Sequence, residues 1–99
     1  MGEESRDAGG EVTHDEARRR FELEEDGETG FLTYSLQDRI IVFTHTIVPP
    51  ELEGRGIGGR IVEAGLGFAR ECGLKVVPQC SFVRGYIERH KEHEDLLAS

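Results

Sequence analysis

The stretch IIVFTHTIVPPELEGRGIGG, residues 40–59, constrains this chain more than any other. Its first half is β-branched (Ile40, Ile41, Val42, Thr44, Thr46, Ile47, Val48) and predicts a strand. Pro49 and Pro50 stop that strand, because neither can donate to a ladder. A polar loop with four glycines follows (Gly54, Gly56, Gly58, Gly59). It opens into the three-and-four spacing of Ile57, Ile61, Val62, Gly65, Leu66, Phe68, Ala69 and Cys72, which predicts a helix from about Ile57 to Cys72. Gly73 stands where such a helix ends. The fold must therefore join a strand to a helix through a glycine loop.

That junction is suited to anions. The first N–H groups of a helix have no intrahelical partner, and the macrodipole favours negative charge there. Glycines let backbone approach a phosphate without a Cβ in the way. Arg55 and Arg60 add positive charge beside it. The chemistry suggests a pyrophosphate ligand; the other reading is that the glycines only shape a tight turn. Two named phosphate motifs do not fit. A P-loop needs Lys-Ser/Thr after its last glycine, and Gly58-Gly59-Arg60 stands instead. A Rossmann fingerprint needs a parallel βαβ start, and this loop follows Pro-Pro.

The remaining chain surrounds this unit. Phe21 and Leu23 alternate with Glu22 and Glu24, a period-2 strand, and Asp26-Gly27 supplies a hairpin turn into a second strand, Gly30–Leu36. With Ile40–Val48 these make a three-stranded antiparallel meander. Leu74–Pro78 reads as a short strand, parallel to the one before the helix. Ser81 is placed to cap a second helix, Phe82 to about His90, with Phe82, Tyr86 and Ile87 inward. The expected fold class is α+β in one domain, residues 17–92. Residues 1–16 read as a disordered acidic tail and 93–99 as a frayed end.

Charge supports this division. Of the net −8, residues 1–16 contribute six carboxylates against Arg6 alone, and the middle is near neutral. The absence of a basic stripe argues against nucleic acid as a partner. No apolar run reaches the ~18 residues needed to span a bilayer. MGEESRDAGGEV has neither the basic nor the apolar region of a secretory signal, and two cysteines make no disulfide framework. The expected compartment is the cytoplasm, with no membrane partner.

Val48 through Gly59 resembles the acetyl-CoA-binding motif of the GNAT superfamily of N-acetyltransferases. That motif has Arg or Gln, two residues, Gly, one residue, then Gly or Ala. Gly56 and Gly58 fill its glycine positions, Arg55 the common basic slot, and Glu53 stands where Arg or Gln is usual. The chain resembles the minimal, stand-alone subfamily of this fold, which lacks two helices and the final strands of larger members. There a His-Thr pair precedes Val-Pro-Pro, as His45-Thr46 does here. Pro78, Cys80, Phe82, Tyr86 and His90 match a second run of that subfamily. The resemblance implies a truncated GNAT fold and an acetyl-CoA-dependent N-acetyltransferase acting on an amine. It implies no metal. Ile47 and Val48 would meet the pantetheine arm, and Glu53, Gly54, Arg55, Gly56, Ile57, Gly58 and Gly59 would wrap the pyrophosphate.

Three further residues carry chemistry. Cys80 lies at a helix start, which lowers a thiol pKa; it either takes the acetyl group or lines the site. Tyr86 matches the tyrosine that protonates departing CoA in many GNATs, or packs on the sheet. His45 is a candidate general base or a structural strand residue. Cys72 is expected in the core. His90 and His93, three apart, read as a solvated face or a helix-end partner rather than a metal site. With the acceptor side open, such a chain dimerises to complete a pocket, acts on an exposed amine of a macromolecule, or does not turn over. A non-catalytic CoA-binding module and a small protein-interaction domain are the alternative functions.

Overall fold

The two glycine-rich reversals expected from the sequence set the topology. Asp26 and Gly27 both take positive φ (54° and 78°), the pairing of a two-residue hairpin whose twist matches its strands. They join β2 (Arg20–Glu25) to β3 (Glu28–Gln37). Asp38, φ 55°, turns β3 into β4 (Ile40–Ile47). The structure, a computed structural model, describes residues 11–98. Within it a five-stranded sheet runs in sequence order, antiparallel from β1 (Thr13–Asp15) through β4, with β5 (Lys75–Pro78) parallel to β4.

The parallel pairing follows from the crossover helix α1 (Ile57–Glu71). Ile57, Ile61, Val62, Leu66 and Ala69 are buried against Phe21, Leu23, Leu32, Ile41 and Phe43 of the sheet. Gly65 permits the close approach: a Cβ there would stand 3.0 Å from Phe43 and 3.1 Å from Leu32. The helix ends in a Schellman motif. Leu74 N–H donates to Ala69 O and Gly73 N–H to Arg70 O, with Gly73 at φ 68°. α2 (Ser81–Arg89) buries Val83, Tyr86 and Ile87. No helix among the described residues is long and apolar enough to cross a membrane.

Several expectations are corrected. The meander has four strands, because Thr13–Asp15, inside the segment read as a tail, pairs with β2. His14 supplies the reason. Its ring stacks on Phe21 at 4.1 Å, meets Phe68 edge-on at 4.5 Å, and bonds the Tyr34 hydroxyl at 2.6 Å. The rest of that reading, residues 1–10, lies outside the described residues. The C-terminal end does not fray through 93–98. A 3-10 segment, Lys91–Leu96, buries His93 and Leu96, and Ala98 N–H donates to Val76 O on β5. Cys72 is exposed, not core, since it occupies the C-cap of α1 beyond the last full turn. Cys80, not Ser81, is the N-cap of α2, which turns Phe82 outward to 39% exposure.

Candidate functional site

Val48 leads into Pro49 and a 3-10 turn, Pro50–Leu52, whose Leu52 is fully buried. That anchor holds the glycine loop over the end of the sheet. Gly54 (φ 86°) and Gly56 (φ 76°) adopt the left-handed backbone that side chains disfavour, with open space where their Cβ atoms would lie. Gly56 is the N-cap of α1 and offers no side-chain cap, so the first-turn N–H groups face outward. Beside them lies a cavity of about 490 Å³. Its lining takes Thr46, Ile47 and Val48 from β4, Leu52, Glu53, Gly54 and Gly56 from the loop, Ile57, Gly58 and Gly59 from α1, and Phe82 from α2.

Eight of the nine expected binding residues line this cavity: Ile47, Val48, Glu53, Gly54, Gly56, Ile57, Gly58 and Gly59. Arg55 does not. Its Nη1 donates to Glu25 Oε2 and Asp26 Oδ2, both at 2.7 Å, tying the loop to the β2–β3 hairpin. These carboxylates hold its charge in place and push its pKa up. Gly58 also serves packing, because a Cβ there would lie 2.8 Å from Phe82 Cζ. Gly58 thus both lines the cavity and sets the packing of Phe82 on α1.

A β-bulge decides which strand residues reach the cavity. Tyr34 stands opposite Phe43 and Thr33 opposite His45, so Thr44 is the extra residue. The alternation resets, and Thr46 falls opposite buried Leu32, on the helix side. His45 falls opposite Thr33, exposed, and outside the cavity lining. An unbroken period of two would have placed Phe43 and His45 on one face. Nothing in the sequence marks the extra residue, and Thr46 was missed as a site residue for that reason.

Cys80 is also outside the cavity lining and meets it through Thr46. Its Sγ lies 3.3 Å from Thr46 Oγ1, and its N–H donates to Phe43 O at 3.0 Å. Burial pushes the thiol pKa up, but hydrogen bonding from the Thr46 hydroxyl and the N–H groups of Val83, Phe82 and Thr46 outweighs it, leaving the thiol below its ordinary value. Tyr86 is elsewhere. Its phenol donates to Glu63 on α1, its ring stacks on His90 at 4.0 Å, and it is not part of the lining. Glu63 Oε1 also lies 2.9 Å from His93 Nε2. Burial first, then Glu63, pushes the phenol up to about 12. Leu52 and Phe82 complete the walls; a loop leucine gave no periodic signal, and Phe82 was expected inward on the second helix. The arrangement can seat an extended anionic ligand, phosphates at the α1 N-terminus and a reacting end near Thr46 and Cys80.

Comparison with known proteins agrees with this fold. The family model described as GCN5-related N-acetyl-transferase matches residues 20–96. The NMR solution structure of a GCN5-like protein from Staphylococcus aureus is similar to this chain at a TM-score of 0.71 and 27% identity, over 90% of this chain and 88% of that one.

Proposed function

This chain belongs to the GCN5-related N-acetyltransferase family, and acetyl transfer comes with that membership; we propose that it takes the acetyl group from acetyl-CoA and passes it to an amine. The observation that carries this reading is the 490 Å³ cavity running from Gly54–Gly59 to Thr46. The open Cβ positions of Gly54 and Gly56 make a cradle a pyrophosphate fits, and the α1 N-terminus supplies its donors. Ile47, Val48 and Phe82 would line the pantetheine arm. Glu53, in the same lining, sets a carboxylate near the phosphates and weakens their hold.

Acetyl-CoA supplies an activated thioester. In this reading the Cys80 thiolate attacks its carbonyl carbon. A C–S bond forms to Cys80, the bond to CoA breaks, and CoA leaves with the electron pair and takes a proton from water. The amine then attacks the acetyl carbon, the bond to Cys80 breaks, the amine's extra proton passes to water, and the thiolate returns. The Thr46 hydroxyl beside its sulfur and the lowered thiol pKa support this route.

Isothermal calorimetry with acetyl-CoA tests the reading. Saturable heat, abolished in Gly56→Asp, supports it; no heat at millimolar ligand overturns it. Mass spectrometry without amine then reads Cys80 directly. One added acetyl group supports the covalent route, and turnover without it assigns direct transfer. Binding without release of CoA to any amine overturns acetyl transfer and leaves a CoA-binding module.

A further inference from the structure

We infer that Thr46 is a positioning residue: its hydroxyl, brought to the cavity wall by the bulge in β4, holds the Cys80 sulfur against that wall. This rests on Cys80 being the reacting thiol of the proposed function. One strand grips the start of α2 twice. Phe43 O accepts the Cys80 N–H at 3.0 Å, and Thr46 Oγ1 meets its Sγ at 3.3 Å. Without the extra residue Thr44, position 46 would face away from the helices and the second grip would be lost. The bulge is itself pinned: Thr33 and Thr44 share a hydroxyl hydrogen bond of 2.6 Å. Arg84, the cation of the first turns of α2, donates to Pro78 O at 3.0 Å and is engaged there. The Thr46 hydroxyl is therefore a polar side chain that both touches the sulfur and lines the cavity. Valine would fill the same space without a donor, and serine would keep the donor.

The test uses the full chain carrying Cys72→Ser, which removes the exposed second thiol. Iodoacetamide alkylation of Cys80 is followed from pH 6 to 10 in this parent and with Thr46→Val, Thr46→Ala or Thr46→Ser, each checked by thermal melting. In the parent the profile is expected to turn below the ordinary thiol range. Thr46→Val and Thr46→Ala move it upward and slow alkylation at neutral pH severalfold; Thr46→Ser restores it. Thr46→Ala keeps the test open if the valine variant melts early. Unchanged profiles in both Thr46→Val and Thr46→Ala overturn the inference. A shifted profile in a protein that gives no heat with acetyl-CoA sustains the Thr46–Cys80 coupling and refutes the ligand assignment alone.

Discussion

The phenol of Tyr86 donates to the carboxylate of Glu63, and this bond joins α2 to α1. The phenol expected as a general acid is thereby engaged by a carboxylate of α1. The phenol pKa, pushed up to about 12, exceeds its ordinary 10.0, so the folded state holds the proton more tightly than the unfolded one. The stabilisation is complete below about pH 10 and is lost as pH rises through about 12. Tyr86→Phe should cost about 1–2 kcal/mol at pH 7. It should also flatten the fall in stability above pH 10, leaving the part due to Tyr34, whose phenol burial likewise raises. Urea unfolding at several pH values reads both, and an unaltered alkaline slope in Tyr86→Phe sinks the idea.

Two glycines of α1 should respond oppositely to alanine. Gly58→Ala sets a methyl 2.8 Å from Phe82 Cζ and pushes that ring off the cavity wall. It should destabilise by about 1–3 kcal/mol and weaken acetyl-CoA binding. At Gly67 nothing lies within 4 Å, and alanine should stabilise by about 0.5–1 kcal/mol through the helix backbone alone. Melting curves of the pair decide this; a stabilised Gly58→Ala would contradict the packing described.

Arg55 is divided between hairpin and loop. Removing its partners with Glu25→Gln and Asp26→Asn should free the guanidinium for the phosphates and tighten acetyl-CoA severalfold at low salt. The gain should shrink at high ionic strength, where exposed charges are screened. Calorimetry at two salt concentrations measures it, and equal affinities would show that Arg55 does not reach the ligand.

Glu53→Gln removes a carboxylate from the cavity lining and leaves its shape. Acetyl-CoA affinity should rise up to about tenfold, since like charges near a pyrophosphate are repulsive. Desphospho-pantetheine analogues, which lack the pyrophosphate, should bind the two proteins equally. An equal gain for both ligands would locate Glu53 away from the phosphates.

The sequence was most legible where backbone chemistry is local. Asp26-Gly27 named its hairpin, Pro49-Pro50 its strand end and Gly73 its helix end, because each depends on the residue's own φ or missing N–H. The glycine loop, with Gly54 and Gly56 at positive φ, was legible for the same reason. What stayed hidden depends on distant partners. β1 has no apolar run and is held by the His14 ring on Phe21 and Phe68. Tyr86 could be placed on α2, but its partner Glu63 lies 23 residues earlier. The bulge at Thr44 exists only in the pairing of two strands, and it exchanges His45 for Thr46 at the cavity.

Phe82 lies against Gly58, while Cys80, two residues earlier on the same turn, lies against Thr46. The first turn of α2 therefore works as a gauge. In the proposed reading it would set the span between a pyrophosphate at the glycine loop and the thiol, so a ligand would be measured by length as well as by charge. A short acetyl thioester can fill either end but not both. It forgoes the advantage of two tethered contacts, in which seating one end raises the local concentration of the other. On the proposed function, selectivity for the long carrier over smaller thioesters would then reside in one helical turn.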